Sequence, residues 1–259
     1  MPIPIRIVAW LLYAVILTPI VMVAGASLTS GGYLTFPPQG ISLRWWNEMM
    51  RDEELFQGLL ISLRIAALTL LISIPTGALA AIYLNGLSTR WRLALVPVFT
   101  SPLSVPLVLT GFSMLIFFTR LDLLNEIGLV IGHVVVCLPY VIRSALVSLS
   151  LSDPTLPRAA AVHGASPRQV IFKVTMPMMR HGLISGGLFA FLASLNNIVV
   201  SIFIAKPGVN PLPVVLFSRM ENLAQPSVAA ASTMVIVMTA LLCLILEWRY
   251  DLFRSLSRR

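Results

Sequence analysis

Six runs of about twenty apolar residues constrain this 259-residue chain more than any other feature. A hydrocarbon core ~30 Å thick is crossed by about 20 residues of α-helix, and a helix satisfies its own backbone groups there. The chain is 58% hydrophobic and 11% charged, which excludes a soluble domain. The runs predict an all-α integral membrane protein whose single transmembrane domain covers residues 1–259. The predicted spans are about 7–28, 59–84, 93–118, 127–148, 182–205 and 227–247.

The basic residues are distributed unevenly between the two sides of these spans. With the N-terminus inside, eleven basic residues face the cytoplasm and five face outward, together with seven of the ten acids. The eleven are Arg6, Arg90, Arg92, Arg158, Arg168, Lys173, Arg180, Arg249, Arg254, Arg258 and Arg259. Because cytoplasmic loops carry the excess of Lys and Arg, both termini are predicted to be cytoplasmic. The net charge of +8 therefore reflects membrane topology, and nucleic-acid binding is excluded.

The longest polar interval lies between the fourth and fifth runs, on the predicted cytoplasmic side. Asp153, followed by a proline, predicts a helix start, and Gly164 can adopt the left-handed conformation that ends a helix. Ser166 and Gln169 then form a capping-box pattern at the start of a second helix. This second helix is predicted to end before Pro177. The interval is therefore predicted to be a helix, a glycine turn and another helix.

Part of this interval resembles the EAA loop of bacterial ABC-importer permeases, in Arg158-Ala159-Ala160, Gly164 and Met176-Pro177. In that family the loop is the coupling helix that docks into a groove of the ATP-hydrolysing subunit. The resemblance implies a cytoplasmic coupling loop at 149–181, with coupling residues Arg158, Ala159, Ala160, Gly164, Ala165 and Pro177. Arg158 stands where the family usually has Glu, so the docking contact of that acid does not carry over. The alternative is a capped amphipathic connector with no partner.

Other segments extend the resemblance over nearly the whole chain: FPP…SLRWW, PLSVPLVLTG and SLNN…KPGVNPLPVVLFS are similar to the second permease of spermidine/putrescine-type importers. The resemblance implies the type I importer fold in a bacterial inner membrane. It also implies a heterodimer with a second permease, two ATPase subunits and a periplasmic binding protein. This chain is then a non-catalytic subunit that binds no cofactor, while ATP and Mg bind to the partner ATPases. Consistently, the sequence contains no phosphate-binding loop.

Two spans contain residues that point to a solute path. The third carries Pro97, Pro102 and Pro106, which free backbone carbonyls that lipid cannot satisfy; the alternative is simple packing kinks. The fifth places neighbouring polar side chains at mid-depth, which require hydrogen-bond partners in a bundle or a substrate. The predicted path residues are Thr110, Ser194, Asn196 and Asn197. His133 is interpreted as a packing residue rather than a proton relay, and Arg64 as reaching the outer headgroups rather than facing the path.

The positions of the acidic residues indicate which class of solute the chain transports. Polyamine permeases of the resembled group carry acids in the third and fifth spans, where this chain has Leu107, Asn196 and Asn197. No acid lies inside a predicted span, since Glu247 is at the cytoplasmic boundary of the sixth, and each uncompensated charge in a bilayer costs about 2.5–3.5 kcal/mol or more. We therefore expect a neutral, zwitterionic or anionic solute, such as an amino-acid derivative, an opine or a phosphonate. The alternatives are a spermidine/putrescine permease whose partner supplies the acids, and a stand-alone secondary transporter, which the absence of internal repeats disfavours.

Overall fold

The computed structural model describes residues 3–206, 208–223 and 225–250. The predicted cytoplasmic tail residues Arg254, Arg258 and Arg259, and Asp251, lie outside the described residues. The described chain is helical and contains no strand, only an isolated antiparallel bridge between Thr29 and Ile41, so the all-α prediction is confirmed. The helices are α1 (Ile3–Ala26), α2 (Arg44–Arg51), α3 (Glu53–Gly86), α4 (Thr89–Thr100), α5 (Leu107–Arg120), α6 (Glu126–Ser150), α7 (Thr155–Val162), α8 (Pro167–Val170), α9 (Met176–Met178), α10 (Arg180–Leu195), α11 (Val199–Ile204), α12 (Leu212–Leu223) and α13 (Pro226–Tyr250).

Four of these helices, α1, α3, α6 and α13, are long and apolar enough to cross a membrane. Two further candidates are bent pairs: α4 with α5, at an angle of 87°, and the segment 167–178 with α10, at 67°. Counting each bent pair as one span brings the described chain to six.

The third predicted span is not one straight helix. The helix α4 ends at Thr100, a 3-10 turn follows at Ser101–Leu103, and α5 begins only at Leu107. Pro102 and Pro106 explain the interruption, because neither can donate the N–H bond that would continue the helix.

The fifth predicted span is also interrupted. The helix α10 ends at Leu195, and the shorter α11 follows from Val199 to Ile204. The Asn197 side-chain oxygen accepts a hydrogen bond from the Val200 N–H at 2.9 Å, as a helix N-cap does. The prediction of a continuous helix over 182–205 was wrong here because asparagine caps a helix start more readily than it continues a helix.

The second predicted span starts earlier than expected. The sequence predicted a span from about residue 59, but α2 ends at Arg51 and Glu53 already belongs to α3. Asp52 breaks the chain between them and caps α3, since its carboxylate accepts a hydrogen bond from the Leu55 N–H at 3.1 Å.

The chain divides into two compact units, one formed by residues up to 59 and 214–242, the other by 60–213 and the residues from 243. In the second unit α6 packs closely on α10. A Cβ added at Gly186 would lie 2.8 Å from Val141 Cα, and one at Gly182 would lie 2.3 Å from the Ser144 carbonyl oxygen. The glycines of α10 thus permit a close approach between α6 and α10.

In the first unit the connection between α1 and α2 folds back on itself. The buried Trp45 donates its indole N–H to the Gly31 carbonyl at 3.0 Å, and Trp46 donates to the Ser27 hydroxyl at 3.3 Å. Each tryptophan therefore combines an apolar ring with a satisfied donor, the arrangement expected at a membrane interface.

Candidate coupling segment and translocation path

Residues 153–178, which we call the coupling segment, begin with a capped helix. The Asp153 carboxylate accepts hydrogen bonds from the Thr155 N–H at 2.8 Å and from the Thr155 hydroxyl at 2.7 Å. These bonds hold the pKa of the exposed Asp153 carboxyl below its ordinary value. The helix α7 starts at Thr155, one residue later than the sequence indicated.

The turn after α7 is a Schellman motif. The Ala165 N–H bonds to the Ala160 carbonyl and the Gly164 N–H to the Ala161 carbonyl, both at 3.0 Å. Gly164 has a φ of +84°, in the left-handed region that favours glycine. A side chain at this position would meet open space, so its cost would be backbone strain rather than a steric clash.

The second helix of the coupling segment starts with the predicted capping box. The Ser166 N–H donates to Gln169 Oε1 at 2.8 Å, and the Gln169 N–H donates to Ser166 Oγ at 3.4 Å. The helix does not end before Pro177, as the sequence indicated, because a π-helical turn at Ile171–Thr175 leads into α9. The last bond of that turn, from Met176 N–H to the Ile171 carbonyl, precedes the proline, whose missing donor therefore costs the turn nothing.

Much of the coupling segment is exposed at the surface. Of the predicted coupling residues, Arg158, Ala159, Gly164 and Pro177 are exposed, and Ala160 and Ala165 are half-buried. Large apolar side chains are exposed beside them: Val162 is 85% exposed and Phe172 67%. The capped helices of the coupling segment thus present small residues, apolar side chains and an arginine at their surface.

The break in the third span opens a cavity of about 360 Å³ on one side of α5. Thr110 and Ser113 supply the polar side chains of its wall. The full lining is Val105, Leu109, Thr110, Ser113, Met114 and Phe117. Thr110 is half-buried, and its hydroxyl donates at 3.4 Å to the Pro106 carbonyl, which also accepts from the Leu109 and Thr110 N–H groups. The structure thus places the predicted path residue Thr110 at a cavity wall.

A buried polar network joins α6 to the break between α10 and α11. His133 Nδ1 lies 2.8 Å from the Ser194 hydroxyl, and His133 Nε2 lies 3.1 Å from the Ser201 hydroxyl. The Ser201 hydroxyl donates to the Asn197 carbonyl at 2.7 Å. Because that proton is used, Ser201 accepts from Nε2–H, and Nδ1 accepts from the Ser194 hydroxyl. We call His133, Ser194, Asn197 and Ser201 the His133 network.

The predicted path residues therefore separate into two groups. Ser194 and Asn197 lie in the His133 network, and the buried Asn197 caps α11. Asn196 is exposed and donates to the Leu192 carbonyl at 3.1 Å. No hydrogen bond among the described residues joins Thr110 or Asn196 to the network. Sequence reasoning missed Ser201, although a serine a few residues after a capping asparagine is a signal that could have found it.

Two sets of ion pairs were also missed by the sequence analysis. Arg219 of α12 contacts Asp52 through Nη1 at 2.5 Å and also bonds to Glu54. The hydrogen bond from Arg219 holds the pKa of the Asp52 carboxyl below its ordinary value. Arg64 pairs with Glu126 at 3.0 Å, so its guanidinium has a protein partner besides the headgroups predicted for it.

Within the described residues no group of three or more His, Cys, Asp or Glu side chains could hold a metal ion.

Comparison with known proteins identifies a matching family and similar permeases. Residues 73–259 match the family described as binding-protein-dependent transport system inner membrane component. The chain is 32% identical to the putrescine transport system permease protein PotI of Escherichia coli (strain K12), over 90% of this chain and 86% of that protein. It is 26% identical to the molybdenum transport system permease protein ModB of Escherichia coli (strain K12), over 82% of this chain and all of that protein.

A solved structure has the same fold. A chain of a bacterial ABC transporter involved in the import of the acidic polysaccharide alginate superposes with a TM-score of 0.70, at 17% identity, over 98% of this chain and 95% of that one. At this identity the match bears on the fold alone.

Proposed function

The chain belongs to the family of binding-protein-dependent transport system inner membrane components, and we propose that it imports a small polar solute other than a polyamine. The solute is neutral, zwitterionic or anionic, for example an amino-acid derivative, an opine or a phosphonate. The chain lies in the bacterial inner membrane with both termini in the cytoplasm. Its partners are a second permease, two ATPase subunits that hold ATP and Mg, and a periplasmic binding protein.

The placement of the acids carries the substrate proposal. Every described acid lies outside the six candidate spans or in a terminal turn: Glu53 and Glu54 begin α3, Glu126 begins α6, and Glu247 is in the last turn of α13. A polyamine crossing these spans would meet amides and hydroxyls from this chain. Each uncompensated charge in the bilayer costs about 2.5–3.5 kcal/mol even on lenient insertion scales, so a solute without net positive charge fits better.

The relatives do not select a substrate by themselves. One is named for putrescine and another for molybdenum, at 32% and 26% identity. The family therefore includes permeases named for different cargoes. The side chains exposed along the path determine which solute is transported. In this chain Thr110 and the exposed Asn196 are the candidates for direct contact with the solute. Ser194 and Asn197 hold the break that positions Asn196.

The coupling segment is proposed to transmit ATP-driven motion. Its two short helices are fixed by a Schellman turn and a capping box, so a force on α7 passes to the π-helical turn and then to α10. Its exposed alanine and valine side chains can enter a groove of the ATPase subunit. In alternating access, such docking biases the permease pair between inward-facing and outward-facing states.

The test is the ATPase activity of the purified complex in nanodiscs, with its binding protein, over polyamines, amino acids and opines, and phosphonates. Stimulation by an uncharged, zwitterionic or anionic solute with polyamines inactive supports the proposal. Stimulation by spermidine or putrescine retains the importer but contradicts the proposed substrate class, and means that the partner permease carries the acids. A chain that purifies without ATPase subunits would instead behave as a stand-alone transporter.

A substitution in this chain sharpens the test. Asn196→Asp adds a carboxylate of nearly the same size on the path, and we expect it to reduce stimulation by an anionic solute at least fivefold. Asn222→Asp makes the same chemical change on the exposed surface of α12 and is the matched control, with an expected change below twofold. Equal effects of the two variants would contradict the assignment of Asn196 to the path.

A further inference from the structure

The coupling segment carries positive charge that the chain does not balance. It contains Arg158, Arg168 and Lys173, and Arg180 follows at the start of α10, but it has one acid, Asp153, which is also the only acid between residues 127 and 220. All four basic side chains are exposed. A surface of one sign favours a partner of the opposite sign, through both contact energy and faster association.

Arg158 is the basic residue that α7 carries. It lies in the middle of α7, is exposed, and forms no ion pair with a described residue. The nearest acid in sequence, Asp153, already accepts two hydrogen bonds from Thr155. The guanidinium of Arg158 thus keeps its fork of donors available for a bidentate contact with a carboxylate.

The surroundings of Arg158 fit a protein surface better than a lipid surface. Ala159 and Ala161 are exposed and allow another backbone to approach closely, and Val162 and Phe172 offer isolated apolar contacts. A helix that lies on a membrane presents a long apolar face. The eight-residue α7 is too short for such a face, and a tight turn at Gly164 redirects the chain.

We propose that Arg158 docks against a carboxylate of the ATPase subunit, so that the charge of this contact is reversed relative to a permease with Glu at the same position. This inference rests on the proposed function, because it names the chemistry of the partner at the coupling segment. The ATPase groove that receives α7 presents at least one acidic side chain beside an apolar hollow. A groove lined by basic residues would repel this permease.

A charge series at Arg158 in the intact complex tests the inference, with solute-stimulated ATPase activity in nanodiscs as the readout. We expect Arg158→Lys to keep at least half of the stimulation, Arg158→Ala to lose several-fold and Arg158→Glu to lose at least tenfold. Arg90→Glu, at an exposed arginine in the first turn of α4, is the matched control and should change activity less than twofold. Unchanged or improved coupling in Arg158→Glu overturns the inference, because it would mean a neutral or basic groove.

The second arm identifies the carboxylate. Exposed Asp and Glu residues of the co-purifying ATPase subunit are replaced by Lys one at a time, and one replacement should lose coupling with wild-type Arg158 but regain it with Arg158→Glu. No such pair among the exposed acids contradicts the inference.

The lipid alternative has its own readout. The charge series is repeated in nanodiscs of zwitterionic lipid only and in nanodiscs with anionic lipid. A loss in Arg158→Glu that is equal in both supports a protein carboxylate, whereas a loss confined to anionic lipid assigns Arg158 to headgroups and overturns the inference. A wild-type chain that retains no ATPase subunit overturns the proposed function itself, which is distinct from an active wild-type complex that is indifferent to the charge of residue 158.

Discussion

The coupling segment and the His133 network are both held by hydrogen bonds, but these bonds join residues near in the sequence in the first and far apart in the second. In the coupling segment the turn and cap bonds join residues no more than five positions apart. In the network His133 bonds to residues 61 and 68 positions away. The bonds of the first region depend only on residues that are close in the sequence, while the second exists only when α6, α10 and α11 are packed. We therefore expect substitutions in the network to act on stability and substitutions in the coupling segment to act on coupling.

The largest expected effect follows from His133→Ala. It leaves the Ser194 hydroxyl without its partner, removes one of the two hydrogen bonds of Ser201 and opens a cavity, at a cost of about 2–4 kcal/mol. For a chain of this size the melting temperature, Tm, should fall by roughly 5–10 °C, measured by tryptophan fluorescence in detergent. His163→Ala makes the same substitution at an exposed residue of the coupling segment and should change the stability by less than about 0.5 kcal/mol. Equal Tm values for the two variants would contradict the division between the regions.

The second-largest effect is expected from Gly164→Val, which should reduce coupling rather than stability. A β-branched residue at a φ of +84° is strained by about 1–3 kcal/mol, which the exposed turn can relieve by opening locally. Solute-stimulated ATPase activity and uptake should fall at least tenfold, while Tm and the retention of ATPase subunits change little. Gly86→Val is the control, because Gly86 also faces open space but lacks a positive φ. Normal uptake by Gly164→Val would disprove the coupling role of this turn.

The same contrast explains what the sequence could and could not predict. The Ser166–Gln169 capping box and the left-handed Gly164 were predicted because the residues that make each bond are neighbours in the sequence. The break after Leu195 was missed because the apolar run continues through it, and only the Asn197 cap marks it. The bond between His133 and Ser201 depends on which helices pack together, which one sequence does not specify. The role of the coupling segment stays a prediction, since it requires a partner.

The ion pair of Arg219 with Asp52 is a third region for this comparison. It tests whether separation along the sequence alone determines how much a contact stabilises the fold. These residues are 167 positions apart, more than twice the separation within the network, but their side chains are partly exposed. Water and salt weaken such pairs, whose contribution is typically about 1 kcal/mol or less. A long-range contact near the surface should therefore stabilise the fold less than a buried one.

The pH dependence of Arg219→Gln provides the smallest of the predicted effects. The hydrogen bond from Arg219 lowers the pKa of Asp52 below 3.8 in the folded chain, so the folded state favours the ionised carboxylate. The stabilisation is fully present above pH 3.8 and is lost as the pH falls through the lower folded pKa. Hydrogen exchange of the α12 amides should then be faster in Arg219→Gln than in wild type at pH 6, and the difference should shrink below pH 3.8. Arg44→Gln, which removes a more exposed pair with Glu48, is the control and should show almost no difference at either pH. A difference that persists unchanged in acid would mean that Arg219 holds α12 through packing of its stem rather than through its charge.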